Sequence, residues 1–284
     1  MKKHKQSASL KDGLTWSTTD PYRSTKSTRS FNTQDWVQQK IVEGDISGGL
    51  ASEQSGTSIF DPVLCELTYR WFCPKNGLIL DPFAGGSVRG IVAAKMGRRY
   101  IGIDLNKRQL EANYLQAEVI CTNGDPFPDW RQGDSRNIAE LVSEQADLIW
   151  SCPPYADLER YSDDPRDLST LKYEQFCDAY AEIIKATCSR LKQDRFACFV
   201  VGDVRDKDGF YYGFPWHTIA AFEMAGLRLY NEAILITAVG SLPIRAARQF
   251  ESGRKLGKTH QNYLCFIKGD PKKATKACGQ LEES

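Results

Sequence analysis

Apolar runs of strand length alternate with stretches of helical length over most of this chain. The runs are Gly77 to Phe83, Arg99 to Leu105, a short one near Trp130 to Gln132, Ala146 to Ser151 and Arg195 to Val204. Between them the sequence predicts helices over Ser87 to Met96, Asn106 to Glu118, about Arg136 to Ser143, and Lys172 to Leu191. The last carries Phe176, Tyr180, Ile183, Ile184 and Leu191 near one face. A leading helix is expected from Phe60 to Phe72, with Asp61 as N-cap, Pro62 at the first helical position, and Val63, Leu64, Leu67 and Trp71 as its apolar stripe. Strands separated by helices call for a parallel sheet with crossover connections. Pro215 to Ala225 reads as a further helix. Leu229 to Thr237 and Tyr263 to Lys268 then read as two strands closing on one another at a sheet edge.

The expected fold class is therefore α/β, an open, mostly parallel, doubly wound sheet with an antiparallel C-terminal edge hairpin. It occupies residues 58–269, with an inserted basic loop at 240–260. Residues 1–57 read as a basic, partly disordered arm or lid, because they are rich in Ser, Thr and Lys and poor in large apolar groups. Residues 270–284 read as a lysine-rich flexible tail.

In a parallel sheet the turns that follow the strands share one rim, and ligands of open α/β folds bind there. Leu78-Ile-Leu-Asp-Pro-Phe-Ala-Gly-Gly-Ser87 ends its strand in a turn where Gly85 and Gly86 let a ligand approach the backbone closely. The turn carries neither the Gly-Lys-Ser/Thr of a P-loop nor a Gly-x-Gly-x-x-Gly fingerprint, so a phosphate cradle is not indicated. Asp104 ends the next strand, about 20 residues on, where a carboxylate accepts hydrogen bonds from ribose hydroxyls. Asp134 ends the third strand and is placed for an adenine amino group. Each acid also suits the plainer role of turn former or helix N-cap.

Leu80-Asp-Pro-Phe-Ala-Gly-Gly-Ser resembles the S-adenosylmethionine loop, Asp-Pro-Phe-x-Gly-x-Gly, of the DNA amino-methyltransferases, which modify adenine N6 or cytosine N4. The resemblance runs from Ser58 to Lys268, in the order cofactor motif and then catalytic motif, and implies a Rossmann-like methyltransferase fold. It implies S-adenosyl-L-methionine as cofactor and DNA as partner. Asp81, Phe83 and Gly85 would contact the cofactor, Asp104 its ribose and Asp134 its adenine end, with Ala84, Gly86, Leu105 and Ser135 beside them. Ser87 stands where the family's last glycine is usual, which predicts a small change of loop geometry with binding kept. Lys258-Thr-His-Gln-Asn-Tyr-Leu-Cys-Phe-Ile-Lys268 is similar to the family's closing segment.

Ile149-Trp-Ser-Cys-Pro-Pro-Tyr155 ends another strand on the same rim. Two prolines fix φ twice and remove two N–H donors, leaving the carbonyls before them to accept hydrogen bonds. Methylating an exocyclic amino nitrogen requires its lone pair, delocalised into the ring, to localise on nitrogen, and two acceptors holding its N–H groups promote that change. Ser151 and Cys152 are the candidate acceptors, Pro153 and Pro154 the frame, and Tyr155 a platform for a base taken out of the duplex.

In the family the residue before Pro-Pro is Asp, Asn or Ser, whereas here it is Cys152, and a thiol accepts poorly. Either the Cys152 carbonyl and the Ser151 hydroxyl together serve the amino group, or the target differs. Attack by a cysteine nucleophile on cytosine C6, for methylation at C5, is disfavoured, since those enzymes place the cysteine after the prolines; a thiol packed under the turn is the plainer reading. RNA, a protein glutamine amide, or nucleic-acid binding with impaired catalysis are the alternative functions.

Charge changes this picture little: 37 Lys and Arg face 36 Asp and Glu, so any nucleic acid must meet a local patch. Arg245, Arg248, Arg254, Lys255 and Lys258 form such a patch, and the segment Leu158 to Leu168 would close on the target base. Nine cysteines without a Cys-x-x-Cys pair, beside three histidines, predict reduced thiols and no metal site. No apolar run approaches a membrane span, so a soluble, cytoplasmic protein without membrane contact is expected.

Overall fold

The structure, a computed structural model, describes residues 60–155, 162, 164–236 and 242–281. The expected N-terminal arm, and residues 158–161 and 163 of the segment from Leu158 to Leu168, lie outside them. Backbone contacts group Ser58–Ser284 as one unit.

Seven strands form a single sheet: β1 (Leu78–Asp81), β2 (Arg99–Asp104), β3 (Asp129–Gln132), β4 (Ala146–Ser151), β5 (Leu191–Val201), β6 (Arg228–Ile236) and β7 (His260–Lys268), in the order β3-β2-β1-β4-β5-β7-β6. β1 to β5 are parallel, and β7 runs antiparallel to both of its neighbours. This is the Rossmann-like α/β sheet with one antiparallel edge that the pattern called for. The strand order reverses between β1 and β4, so the turns after those two strands flank the crevice in which such sheets bind ligands.

The hairpin partners are as expected, but the later strand takes the interior position. The reason lies in composition: Tyr263 to Ile267 in β7 is a continuous buried run, while β6 (Arg-Leu-Tyr-Asn-Glu-Ala-Ile-Leu-Ile) is largely exposed. A run apolar on both faces belongs inside a sheet, and a mixed one tolerates an edge.

The helices are α1 (Pro62–Phe72), α2 (Val88–Lys95), α3 (Lys107–Ile120), the short α4 (Ile138–Leu141), α5 (Tyr173–Ser189), α6 (Phe214–Met224), α7 (Leu242–Gly253) and α8 (Pro271–Cys278). Asp61 caps α1 as expected, accepting from Val63 N and Leu64 N. The stripe on that helix is corrected, because Val63, Leu67 and Trp71 face out, while Cys65, Thr68 and Tyr69 are buried. Tyr69 is drawn inward by its hydroxyl, which donates to Arg89 O at 2.8 Å.

Two expectations about irregular chain are also corrected. The basic loop at 240–260 holds the twelve-residue helix α7, whose Ala246-Ala-Arg-Gln249 centre is made of good helix formers and which closes at Gly253. The tail after Asp270 is not wholly frayed: Asp270 accepts from Lys272 N and Lys273 N, Pro271 opens α8, and Ala274 is buried. That is the same Asp-Pro start signal as at Asp61-Pro62. No helix among the described residues is long and apolar enough to cross a membrane.

One face of the sheet carries an aromatic core in which Phe176, Tyr180, Phe214, Phe222 and Phe266 pack from α5, α6 and β7 onto Phe199 of β5. Phe83, from the turn after β1, stacks on Tyr180 at 5.9 Å, which anchors that turn to the core.

Candidate active site

The turn after β1 is held from beneath. Asp81 is wholly buried; its Oδ1 accepts from Phe83 N at 3.0 Å and from the Ser151 hydroxyl at 2.5 Å, and its Oδ2 from Arg89 Nε at 2.5 Å and the Tyr100 hydroxyl at 2.7 Å. Four donors match the four lone-pair positions of a carboxylate. Asp81 therefore shapes the loop, with its oxygens spent on the protein. Arg89, in the otherwise small and apolar run from Val88 to Ala94 of α2, also donates to the carbonyls of Phe83 (2.5 Å) and Ala84 (2.9 Å). Burial would lower the guanidinium's pKa, and the Asp81 carboxylate beside it outweighs that and raises it.

Above this support the backbone is positioned atom by atom. Ala84 N donates to Ile103 O at 3.0 Å, Gly85 N donates to Asp104 Oδ2 at 2.8 Å, and Gly85 O accepts from Asn113 Nδ2 at 2.7 Å. Gly85 has φ +49°, a conformation that glycine adopts freely. A Cβ at Gly85 or Gly86 would meet nothing within 4 Å, so the outer side of the turn is open to a ligand. Ser87 needs no glycine freedom: its φ is −73° and its hydroxyl bonds to Gln116.

Asp104 takes one backbone N–H on each oxygen, Gly85 N on Oδ2 and Asn106 N on Oδ1, both at 2.8 Å. Two lone-pair positions remain, the number a vicinal diol needs. Burial raises the carboxyl's pKa, offset in part by these backbone donors. Leu105 follows at the rim, its carbonyl accepting from Gln132 Nε2 at 3.4 Å.

At the third strand the side chains are more occupied. Asp134 caps a turn of 3-10 helix and pairs with Arg136 at 2.6 Å; burial pushes its pKa up, but the Arg136 donors outweigh this and hold it low. Ser135 is buried and donates to Pro82 O at 2.6 Å, tying the end of β3 to the turn after β1.

β4 lies beside β1, with Leu80 opposite Ile149, which brings the Pro-Pro-Tyr turn next to the glycine turn. Ser151 departs from its expected role. It is wholly buried and its hydroxyl donates a hydrogen bond to Asp81, so it joins the two turns from below instead of reaching out to an amino group. The Cys152 thiol bonds to the Tyr155 hydroxyl, which also accepts from Gln261 Nε2 at 2.5 Å. The Tyr155 ring meets Phe214 edge-on at 6.2 Å. Burial first, and Cys152 next, raise the phenol's pKa, so it stays neutral. Pro153 is buried, and Pro154 is half-buried at the rim.

The candidate cations divide. Arg248 and Arg254 are exposed, and Arg254 lies over the Phe250 ring at 5.1 Å. Lys255 rests against Gly209, and Lys258 sits 5.6 Å from the centre of the Tyr211 ring. Arg245 is in α7, but its side chain lies outside the described residues.

Sequence reasoning missed Arg89, Tyr100, Asn113 and Gln261. Only Arg89 carries a local signal, a charge within the small apolar run Val88-Arg-Gly-Ile-Val-Ala-Ala94. Tyr100, Asn113 and Gln261 meet their partners 19, 28 and 106 residues away.

The profile of the DNA methylase family, N6/N4 type, matches residues 60–115, the stretch that holds Asp81, the glycine turn, Arg89 and Asp104. Over this stretch the chain is similar to that family. Two curated relatives, the type II methyltransferases M2.LlaDCHI of Lactococcus lactis subsp. cremoris and M2.DpnII of Streptococcus pneumoniae, are each 49% identical over 37 residues, which is 13% of this chain. The matched stretch spans only 14% of either relative. Among solved structures, TrmN from Thermus thermophilus covers 74% of this chain and 49% of its own at 15% identity and TM-score 0.49. A TehB-like methyltransferase from Corynebacterium glutamicum covers 83% and 97% at 16% identity and TM-score 0.44.

The matched N6/N4 methylase profile implies S-adenosylmethionine as cofactor. The residues present fit it: an open glycine turn, and Asp104 with two acceptor positions left for a ribose.

Proposed function

We propose that this protein is an S-adenosylmethionine-dependent methyltransferase that modifies an exocyclic amino group of a DNA base, adenine N6 or cytosine N4. The observation that carries the reading is the Ser151–Asp81 hydrogen bond, which fastens the Pro-Pro-Tyr turn to the glycine turn across neighbouring strands. A cofactor over Gly85 and a base beside Tyr155 would then meet at one point, the proximity that group transfer needs.

S-adenosylmethionine, when bound, supplies an electrophilic methyl group. The glycine turn seats it, and Asp104 holds its ribose. With the Ser151 hydroxyl withdrawn to Asp81, the amino group's acceptor is the backbone carbonyl at Cys152, held by the two prolines that follow. Tyr155, its hydroxyl secured by Cys152 and Gln261, supports the extruded base. The target nitrogen would gain the methyl as the methyl's bond to sulfur breaks, leaving a neutral thioether, and would release one proton to water. Arg248, Arg254, Lys255 and Lys258 would contact the phosphates.

Incubation with duplex DNA and cofactor, followed by digestion to nucleosides and mass spectrometry, is expected to yield N6-methyladenine or N4-methylcytosine. Appearance of 5-methylcytosine, or no methylated nucleoside at all, overturns the proposal. Cys152→Ser and Cys152→Ala are both expected to keep the activity within about tenfold, because a backbone acceptor survives either change. Complete loss in both would instead make the thiol a participant.

A further inference from the structure

The connection between β5 and α6, residues 203–213, stands on the same rim as Tyr155, whose ring lies against Gly202. It is pinned at both ends by one carboxylate: Asp203 Oδ1 accepts from Val204 N at 2.9 Å, Gly213 N at 2.9 Å and Phe214 N at 3.2 Å. Between these points Arg205 and Tyr211 pair as an antiparallel bridge, Phe210 N donates to Asp206 Oδ1 at 2.8 Å, and Gly209 turns the chain at φ +95°. The segment is thus a preorganised hairpin.

The hairpin displays aromatic rings beside cations. Phe210, beside the turn, is 72% exposed, and Tyr211 next to it is 44% exposed. Arg205 lies over the Tyr211 ring at 3.8 Å, Lys258 approaches the same ring, and Lys255 rests on Gly209. Of the acids in the hairpin, Asp203 and Asp206 are spent on backbone N–H groups, and Asp208 lies on the turn. A large aromatic ring held out by a pinned hairpin contributes nothing to the core. An exposed ring amid cations is what unstacked bases and their phosphates bind.

We infer that the 203–213 hairpin is a DNA-binding element, in which Phe210 stacks on an unpaired base beside the target while Arg205, Lys255 and Lys258 contact the flanking phosphates. This rests on the reading of the protein as a DNA base methyltransferase. It adds a residue and a segment that the basic patch did not include, and gives single-stranded or locally opened DNA as the form bound.

The test uses fluorescence anisotropy of the full chain with a labelled single-stranded DNA and an RNA of the same sequence. Phe210→Ala is expected to weaken binding of the single strand about tenfold, and Phe210→Tyr to stay within about twofold, since a stacking face is kept. The Lys255→Gln/Lys258→Gln double variant is expected to flatten the salt dependence by about 1.4 in logarithmic slope. Thermal unfolding of Phe210→Ala is expected to match that of the parent, as the ring is exposed. Parent-like affinity in Phe210→Ala overturns the inference while leaving the methyltransferase reading intact. Tighter binding of the RNA overturns the choice of DNA, and absence of single-strand binding by the unaltered protein overturns the inference, while the nucleoside assay on duplex DNA judges the methyltransferase reading separately.

Discussion

The two halves of the rim are built on opposite principles. After β1 the polar atoms are saturated from within, and after β2 Asp104 alone keeps acceptor positions for a ligand: Asp81 takes four donors, both backbone groups of Gly85 are bonded, and Arg89 closes the carbonyls of Phe83 and Ala84. After β4 and β5 the groups that would meet a substrate come from distant segments, and cations lie over exposed rings at Tyr211 and Phe250. A site for one invariant ligand is best preorganised, because nothing then has to be ordered when the ligand arrives. A surface that must take up a long, charged, deformable partner works through exposed charge and flat aromatic faces.

The sharpest way to break this contrast is to remove the buried cation. Arg89→Met leaves the Asp81 carboxylate buried without its charge partner, and unfolding in urea is expected to show a loss of about 3–5 kcal/mol. A loss below about 1 kcal/mol would mean that the turn is not held by this pair.

Asp104→Ala tests whether the halves act separately. Calorimetric titration is expected to show cofactor affinity reduced about 10- to 100-fold, the worth of hydrogen bonds to a charged acceptor. Affinity for DNA measured without cofactor should change less than about twofold. Equal losses of both would erase the division drawn here.

The smallest effect is a control on the flank of the sheet. Arg131 hydrogen bonds hold the Glu144 carboxyl down to about 2 from an ordinary 4.5. A depressed acid contributes stability above its unfolded pKa that disappears as pH falls through the folded one, here between about 4.5 and 2. The pair is partly exposed, at 25% and 38%, so screening keeps its share to a few tenths of a kcal/mol. Glu144→Gln should flatten the stability profile in that window and leave both binding activities unchanged; a change in either would tie this edge to the site.

Much of the cofactor side was legible because its parts are local. A strand, a glycine turn and a helix follow one another from Leu78 to Lys95, and Asp104 ends the next strand. The Asp-Pro start of α1 was equally plain, while the identical signal at Asp270-Pro271 was obscured by the lysines around it. Helix α7 was hidden in the same way, its charged residues reading as loop. The outward turn of Val63, Leu67 and Trp71 could not be read from periodicity, because the partner that pulls the opposite face inward, Arg89 O for Tyr69, is 20 residues away.

By itself the sequence determined the α/β alternation, the glycine turn and the place of the Pro-Pro-Tyr turn, since strand and helix periods and turn chemistry act over a few neighbouring residues. Only the tertiary structure decided that Ser151 faces Asp81, that β7 enters the sheet ahead of β6, that Gln261 secures Tyr155, and that Phe210 is left outside. Each of these depends on which segments meet in space, and the energy that selects among them, burial of apolar surface with most buried polar atoms paired, is a property of the assembled fold.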